Sequence, residues 1–366
     1  MAGEHPTGQP STRAPRRGLP RPGGEPAESA APVAAGPAAA IPAEAPAAPA
    51  ASAQPSPPAP RRTGRFTGRQ WLRALAGAVG LVLLAAVVVL VTRWFVSFEA
   101  VRDFLVTYPG ETPLPEGAPV GLPAWLAWQH FFNMFLIVLI IRSGWQVRTQ
   151  TRRPAMWVRN NTAPFKTKGA PKRITLTLWS HFAFDALWLL NGIIFVVLLF
   201  ATGQWMRVVP TSWDVFPNAA SAALQYLSLD WPTENGWVNY NSLQLLAYFT
   251  TIFIAAPLAA LTGIRMSGAW PAKATRLNTL YPVELARAIH FPVMLYFVLF
   301  IFVHVVLVLS TGALRNLNHM YGGQDAVNWT GFWIFAASLI VVVGGVLAAR
   351  PLVLAPIAGL MGKVGR

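Results

Sequence analysis

The feature that most constrains this chain is one apolar run, RAIHFPVMLYFVLFIFVHVVLVLSTG at 287–312, with two histidines inside it, His290 and His304. The run is long enough to cross the hydrocarbon core of a bilayer as a single helix. Fourteen residues at 100° each return to within about 40° of the starting direction and climb about 21 Å, so one helix face offers imidazoles at two depths. Ionisable side chains are rare within membrane helices and face a functional interior. Two matching partners are therefore expected elsewhere, and His130 and His181 supply them.

Composition places this run in a polytopic membrane protein: 54% of residues are apolar, 12% are charged, and several apolar runs approach 20 residues. The chain has no cysteine. That excludes thiolate-held iron–sulfur clusters, Cys-x-x-Cys-His haem attachment, disulfides and thiol redox chemistry. The net charge of +15 sits mostly in the N-terminal region and beside apolar spans, where it reads as a topology signal and not as a nucleic-acid surface. Residues 1–68, rich in Pro, Ala and Gly, predict a disordered, solvated tail, with docking of a partner through its proline-rich part as the alternative. The apolar run starting near Trp71 lies too far along the chain and is too long for a cleavable leader, so 69–97 reads as an extra first membrane helix.

The expected architecture is all-α and integral to the membrane. Six transmembrane helices are predicted at about 71–92, 123–142, 179–201, 243–263, 286–311 and 329–349, with a four-helix core over 123–312 and a last helix plus short tail over 329–366. Arg61, Arg62, Arg65 and Arg69 precede the first span. Arg148, Arg152, Arg153, Arg159, Lys166, Lys168, Lys172 and Arg173 fill the second connection, and Arg265, Lys273, Arg276 and Arg287 the fourth. The other connections hold Glu99, Asp103, Glu111 and Glu116, then Asp214, Asp230 and Glu234, then Asp325. The positive-inside rule makes the basic connections and both termini cytoplasmic, in a bacterial plasma membrane. On that topology His130 and His304 lie in the outer half of the membrane, and His181 and His290 in the inner half. Two bis-histidine sites about 20 Å apart along the helix rise are the result.

Facing imidazoles in an apolar four-helix interior suit two non-covalent haem b groups, and two strong axial ligands favour electron transfer over oxygen chemistry. Zinc wants three or four protein ligands per site, and two are too few. A lone histidine here would as readily serve helix packing; four in depth-matched pairs point to haem. Gly144 and Gly192 fall on the ligand faces near the opposite site, where a missing side chain admits a porphyrin edge or serves plain helix packing. Arg142, Arg265 and Arg287 end their spans on the cytoplasmic side, either as anchors or, best for Arg142 in an Arg-Ser-Gly turn, as partners of haem propionates. Asp185 is read as an acceptor orienting His181, or as a proton relay at a quinone site. Phe297 falls between the two sites, as core packing or as an electron path. Pro292 is expected to disturb the fifth helix beside His290. His5 and His319 are read as incidental.

The stretches HFFNMFLIVLIIRSGWQVR (130–148) and WSHFAFDALWLLNGIIFVVLLFATGQWMR (179–207), with the double-histidine fifth span, resemble the prokaryotic di-haem cytochrome b subunits. The formate dehydrogenase gamma, thiosulfate reductase cytochrome b and hydrogenase cytochrome b types are the nearest forms. That resemblance implies ligands at His130, His304, His181 and His290, and an electron-transfer subunit rather than a stand-alone catalyst. It also implies exchange with the quinone pool and a partner subunit, a molybdopterin enzyme or another redox catalyst. The extra first and last spans and the long tail depart from the four-span form. The chain carries no dinucleotide fingerprint or other catalytic constellation, so substrate chemistry is expected in the partner, docked on the outward connections 98–122 and 202–242. A self-sufficient transmembrane haem reductase remains an alternative. A proton-coupled transporter, which would show repeats or broken helices around a midplane site, is the weaker one.

Overall fold

The computed structural model describes residues 67–150, 154–161, 171–231, 235–271 and 273–365. All but the last two residues of the expected tail lie outside these, with His5, Arg61, Arg62, Arg65, Arg152, Arg153, Lys166, Lys168 and Glu234. In chain order the elements are α1 (Gly68–Val96), α2 (Glu99–Thr107), α3 (Ala124–Thr149), β1 (Met156–Arg159), β2 (Arg173–Thr175), α4 (Leu176–Ala201) and α5 (Val215–Ser228). Then come α6 (Ser242–Phe249), α7 (Ala256–Met266), α8 (Thr275–Leu280), α9 (Val283–Ser310), α10 (Ala313–Leu317), α11 (Thr330–Ala348), α12 (Pro351–Gly359) and β3 (Gly362–Gly365). Among the described residues six segments are long and apolar enough to cross a membrane: α1, α3, α4, the run from α6 through α7, α9 and α11. They fall on the six expected spans.

Local chemistry accounts for where the helices start and how they run. The Thr175 hydroxyl accepts from the Leu178 amide to open α4, and the Asn241 side chain accepts from the Gln244 amide to open α6. Helix α9 runs unbroken through Pro292. Helix α3 continues seven residues past its expected end at 142, so Arg142, Ser143 and Gly144 are helical and form no turn. A glycine inside a helix costs about 1 kcal/mol relative to alanine and does not by itself end one. Between α6 and α7 the turn widens into a π-helical segment, Thr250–Ala255, a geometry that recurs at functional sites. It brings the Thr251 hydroxyl within 2.8 Å of the Tyr296 hydroxyl on α9.

Helix α3 packs along α4, and α7 along α9. Helix α9 meets α3 and α4 through rings: His130 with His304, His181 with His290, and Trp188 with Phe297. A core of Ala255, Val293 and Phe297, flanked by Ile137, Trp188 and Tyr296, lies between the two histidine levels. Helix α11 lies against α3, where Gly345 leaves room for the Phe135 ring. Helix α1 is attached through α5, with Arg93 Nε donating to the Ser228 carbonyl at 2.8 Å.

The two ends of the bundle are built differently. At the lower end, where α3 finishes and α4 begins, β1 is the central strand of a three-stranded antiparallel sheet with β2 and β3. The Trp157 indole donates to the Ala358 carbonyl at 2.9 Å, and Leu176, Trp179 and Ala358 are buried beneath it. The segment after the last span, expected as a short tail, is thus a cap. At the upper end the described parts of the connections, 97–123, 202–231, 235–241 and 311–329, are joined. Arg207, 1% exposed, donates to the carbonyls of Gly121 and Gly236 at 2.7 and 2.6 Å, and the Trp237 ring lies 5.5 Å from that of His319.

The last of these connections is held by Asn318, fully buried. Its amide nitrogen donates to the carbonyls of Ala326 and Asn328 at 2.9 and 2.8 Å, and its oxygen accepts from the Gly331 amide at 2.7 Å. Gly331 presses on the Leu317 backbone so closely that a Cβ would collide with the Leu317 carbonyl. Gly331→Ala is expected to force this loop apart and destabilise the protein by about 1–3 kcal/mol, the usual range for overpacking. A lowered midpoint of thermal unfolding in detergent checks it.

Candidate functional site

Four half-buried histidines meet in two pairs. His304 faces His130 with ring centroids 6.3 Å apart and planes at 54°; His290 faces His181 at 6.5 Å and 88°. These are the two pairings expected from charge bias and depth. Two imidazoles holding one metal from opposite sides, with about 2 Å per metal–nitrogen bond and about 1.1 Å from ring centre to nitrogen, place their centroids about 6.2 Å apart. Both pairs meet that spacing, and ring planes sharing an axis are free to differ in rotation about it. Among the described residues no three His, Asp or Glu gather as a bare-metal site. Two-imidazole sets therefore suit a cofactor that brings its remaining donors with it, as a macrocycle does.

The orientation of the lower rings is set by residues that the sequence reading overlooked. The Ser143 hydroxyl donates to the Ile140 carbonyl at 3.1 Å and lies 2.9 Å from His181 Nδ1. The Thr262 hydroxyl donates to the Leu258 carbonyl at 2.6 Å and lies 2.8 Å from His290 Nδ1. With each hydroxyl proton assigned to the backbone carbonyl within its reach, the hydroxyl oxygen accepts from Nδ1–H and Nε2 keeps its lone pair, the tautomer a metal-ligating imidazole takes. The residue after each hydroxyl is glycine. A Cβ on Gly144 would lie 3.2 Å from His181 Cε1, and one on Gly263 3.8 Å from His290 Cε1. The Ser-Gly of α3 and the Thr-Gly of α7 thus seat two rings in the same way, and this repeated dipeptide is the mark the seating leaves in the sequence.

The other expected residues fall as follows. Gly144 faces the His181 ring, and Gly192 faces open space with no protein atom within 4 Å of an added Cβ. Arg142 donates from one nitrogen to the Ala349 carbonyl at 2.7 Å, closing the last turn of α11. Arg265 donates to the Tyr281 carbonyl at 2.6 Å. Arg287, three residues before His290, is exposed. Arg148 lies 3.9 Å above the ring of Phe291, the residue after His290. Asp185 Oδ2 is 3.6 Å from His181 Nε2, beyond hydrogen-bond reach, so the His181 ring is oriented by Ser143 instead. Phe297 is 7% exposed and meets Trp188 edge to face at 6.2 Å, between the two pairs.

At the upper end His319, expected to be incidental, is buried. Its Nε2 lies 2.8 Å from Asp325 Oδ1, which also accepts from Arg315 Nε at 2.7 Å. The hydrogen bond from Arg315, then that from His319, holds the Asp325 carboxyl well below the usual carboxylate range. Two residues on, the Tyr321 hydroxyl is 3.2 Å from His130 Nδ1. Burial pushes its phenol up to about 12, so it is a neutral hydroxyl at physiological pH.

The sequence pattern of the family described as prokaryotic cytochrome b561 matches residues 121–323, a stretch that holds all four paired histidines and ends just past Tyr321. The chain is also 29% identical over 203 residues to the "Putative protein-methionine-sulfoxide reductase subunit YedZ1" of Azospira oryzae, covering 51% of this chain and 88% of that protein. No solved structure matches the chain.

The Asp325 cluster makes a pH prediction. A carboxylate whose folded pKa is depressed contributes stability that is complete above its unfolded value, about 4, and is lost as pH falls toward the folded value. The midpoint of thermal unfolding is therefore expected to drop below about pH 4. Asp325→Asn is expected to lower it at pH 7 and to flatten the acid dependence, measured on the two proteins side by side.

Proposed function

Because the chain belongs to the prokaryotic cytochrome b561 family of membrane b-type, haem-binding electron-transfer proteins, we propose that it carries electrons between the quinone pool and a partner redox subunit through two haem b groups. One is held by His130 and His304, the other by His181 and His290. The observation that carries this reading is the spacing of the two imidazole pairs, each at the separation of coaxial ligands to one metal. When bound, haem b supplies a one-electron iron couple, and two imidazoles leave it no open position for oxygen. The chain's own residues do the rest. Ser143 and Thr262 hold the Nδ1 protons of the lower rings and aim the opposite nitrogens. Trp188 and Phe297 keep the space between the levels apolar and closely packed. Arg287 and the free nitrogens of Arg142 would neutralise propionates at the lower level.

The lower end, with its basic connections, is read as cytoplasmic and the upper end as outward, with both termini on the cytoplasmic side of the plasma membrane. The upper connections 98–122 and 202–242 are the proposed docking surface for a catalytic subunit, a molybdopterin enzyme in this reading. The name of the Azospira relative, a reductase subunit, supports a separate catalytic partner. Asp185 and Arg287 mark the proposed quinone side, next to the lower pair.

The full chain, purified in detergent, is expected to contain two haem b per polypeptide by alkaline pyridine assay. His130→Ala and His304→Ala are expected to remove the same haem, and His181→Ala and His290→Ala the other, each leaving one. A single haem per chain, or an unaltered spectrum in His304→Ala, would overturn the assignment.

A further inference from the structure

Three of the four paired imidazoles have a side-chain hydroxyl on Nδ1. The two of the lower pair come from the membrane helices themselves, as Ser143 and Thr262. The third, Tyr321, comes from the upper connection between α10 and α11, in a π-helical turn at Asn318–Gly322, and reaches His130 at 3.2 Å. The Tyr321 ring stands edge-on to that of His130, with centroids 5.7 Å apart, and packs on Phe335 of α11. The hydroxyl also meets Ser338 and, at 3.8 Å, Met134 Sδ; with Nε2 as the ligating nitrogen, His130 carries its proton on Nδ1 and the Tyr321 oxygen is the acceptor.

The surrounding loop holds this turn in place from several sides. Asn318 fastens it to 326, 328 and 331, Gly331 lets α11 press against it, and His319 is clamped between Asp325 and the Trp237 ring. From this geometry we infer that Tyr321 is a positioning residue for His130 and that it sets the potential of the outer haem alone, from a loop on the outward surface. An acceptor on Nδ1–H makes a ligating imidazole more basic and stabilises the oxidised metal. The outer haem is thus held at a lower potential than an unbonded His130 would give it. Ser143 and Thr262 do the same for the inner haem from within the bundle. This inference rests on the assignment of a haem to His130 and His304.

The test is a potentiometric titration of the full chain, followed optically and by the low-spin ferric signals in electron paramagnetic resonance, for the unmodified protein, Tyr321→Phe and Ser143→Ala. Tyr321→Phe keeps the ring and removes the acceptor. It is expected to favour reduction of one haem by threefold to tenfold, about the net worth of one hydrogen bond, tenfold being about 59 mV for one electron. The other midpoint should not move, and Ser143→Ala should shift that other haem. Should Tyr321→Phe lose the outer haem, 3,5-difluorotyrosine at position 321, which keeps the hydroxyl but weakens its lone pairs, must raise the same midpoint. Two haems with unmoved midpoints, or midpoints that move together, overturn the role of Tyr321 and leave the two-haem reading standing. A purified chain without haem overturns both.

Discussion

An imidazole among membrane helices has two polar nitrogens and no water to satisfy them, and leaving either unpaired costs on the order of kilocalories. The arrangement of this protein follows from how that cost is met. On three of the four rings Nδ1 is met by a hydroxyl, and for Ser143 and Thr262 the hydroxyl proton is already committed to the backbone of its own helix. On the proposed reading the ring proton stays on Nδ1 and the opposite nitrogen is left to ligate. Helix α9, with one ring at each level, becomes the element around which α3 and α4 are set. The run from α6 to α7 contributes no histidine but supplies Thr262 and Gly263 at one level and the Tyr248 ring, 6.3 Å from His304, at the other.

The layer between the levels is apolar and aromatic, and its polar edges are paired. The Trp188 indole donates to Asn133 at 2.6 Å, and Thr251 and Tyr296 share a hydrogen bond made possible by the π-helical segment. Such pairing fixes the rotation of each helix about its own axis, which hydrophobic contact with lipid alone leaves nearly free. Fixed rotation matters for a conductor, because two metal centres exchange electrons reproducibly only at a constant separation. On the proposed reading the fold is a rigid spacer rather than a moving part.

The ends carry the asymmetry. The lower end closes with a small sheet and the packed segment α12, whereas the upper connections are knit together by the buried Arg207, and the last of them reaches down to His130 through Tyr321. The proposed docking surface and the proposed tuning residue therefore belong to one continuous, internally bonded layer. The relative from Azospira oryzae matches over 203 residues, and the family match at 121–323 omits α1 and α11. The flanking spans pack on the outside of the matched core, α1 through α5 and α11 on α3.

By itself the sequence determined the number and placement of the spans, the identity of the four paired histidines and which pairs with which. Each of these depends on a quantity readable along the chain: apolar length against bilayer thickness, charge at the flanks, and helical rise per residue. Only the tertiary structure decided what turns those rings. Ser143 and Thr262 look like ordinary helix residues satisfied by their own carbonyls, Tyr321 sits in a connection with no periodicity to read, Arg207 bonds to carbonyls far away in the chain, and His319 packs on the distant Trp237 ring. Those contacts depend on how each helix is rotated about its axis and how each loop folds back, and neither is a local property of the residues involved.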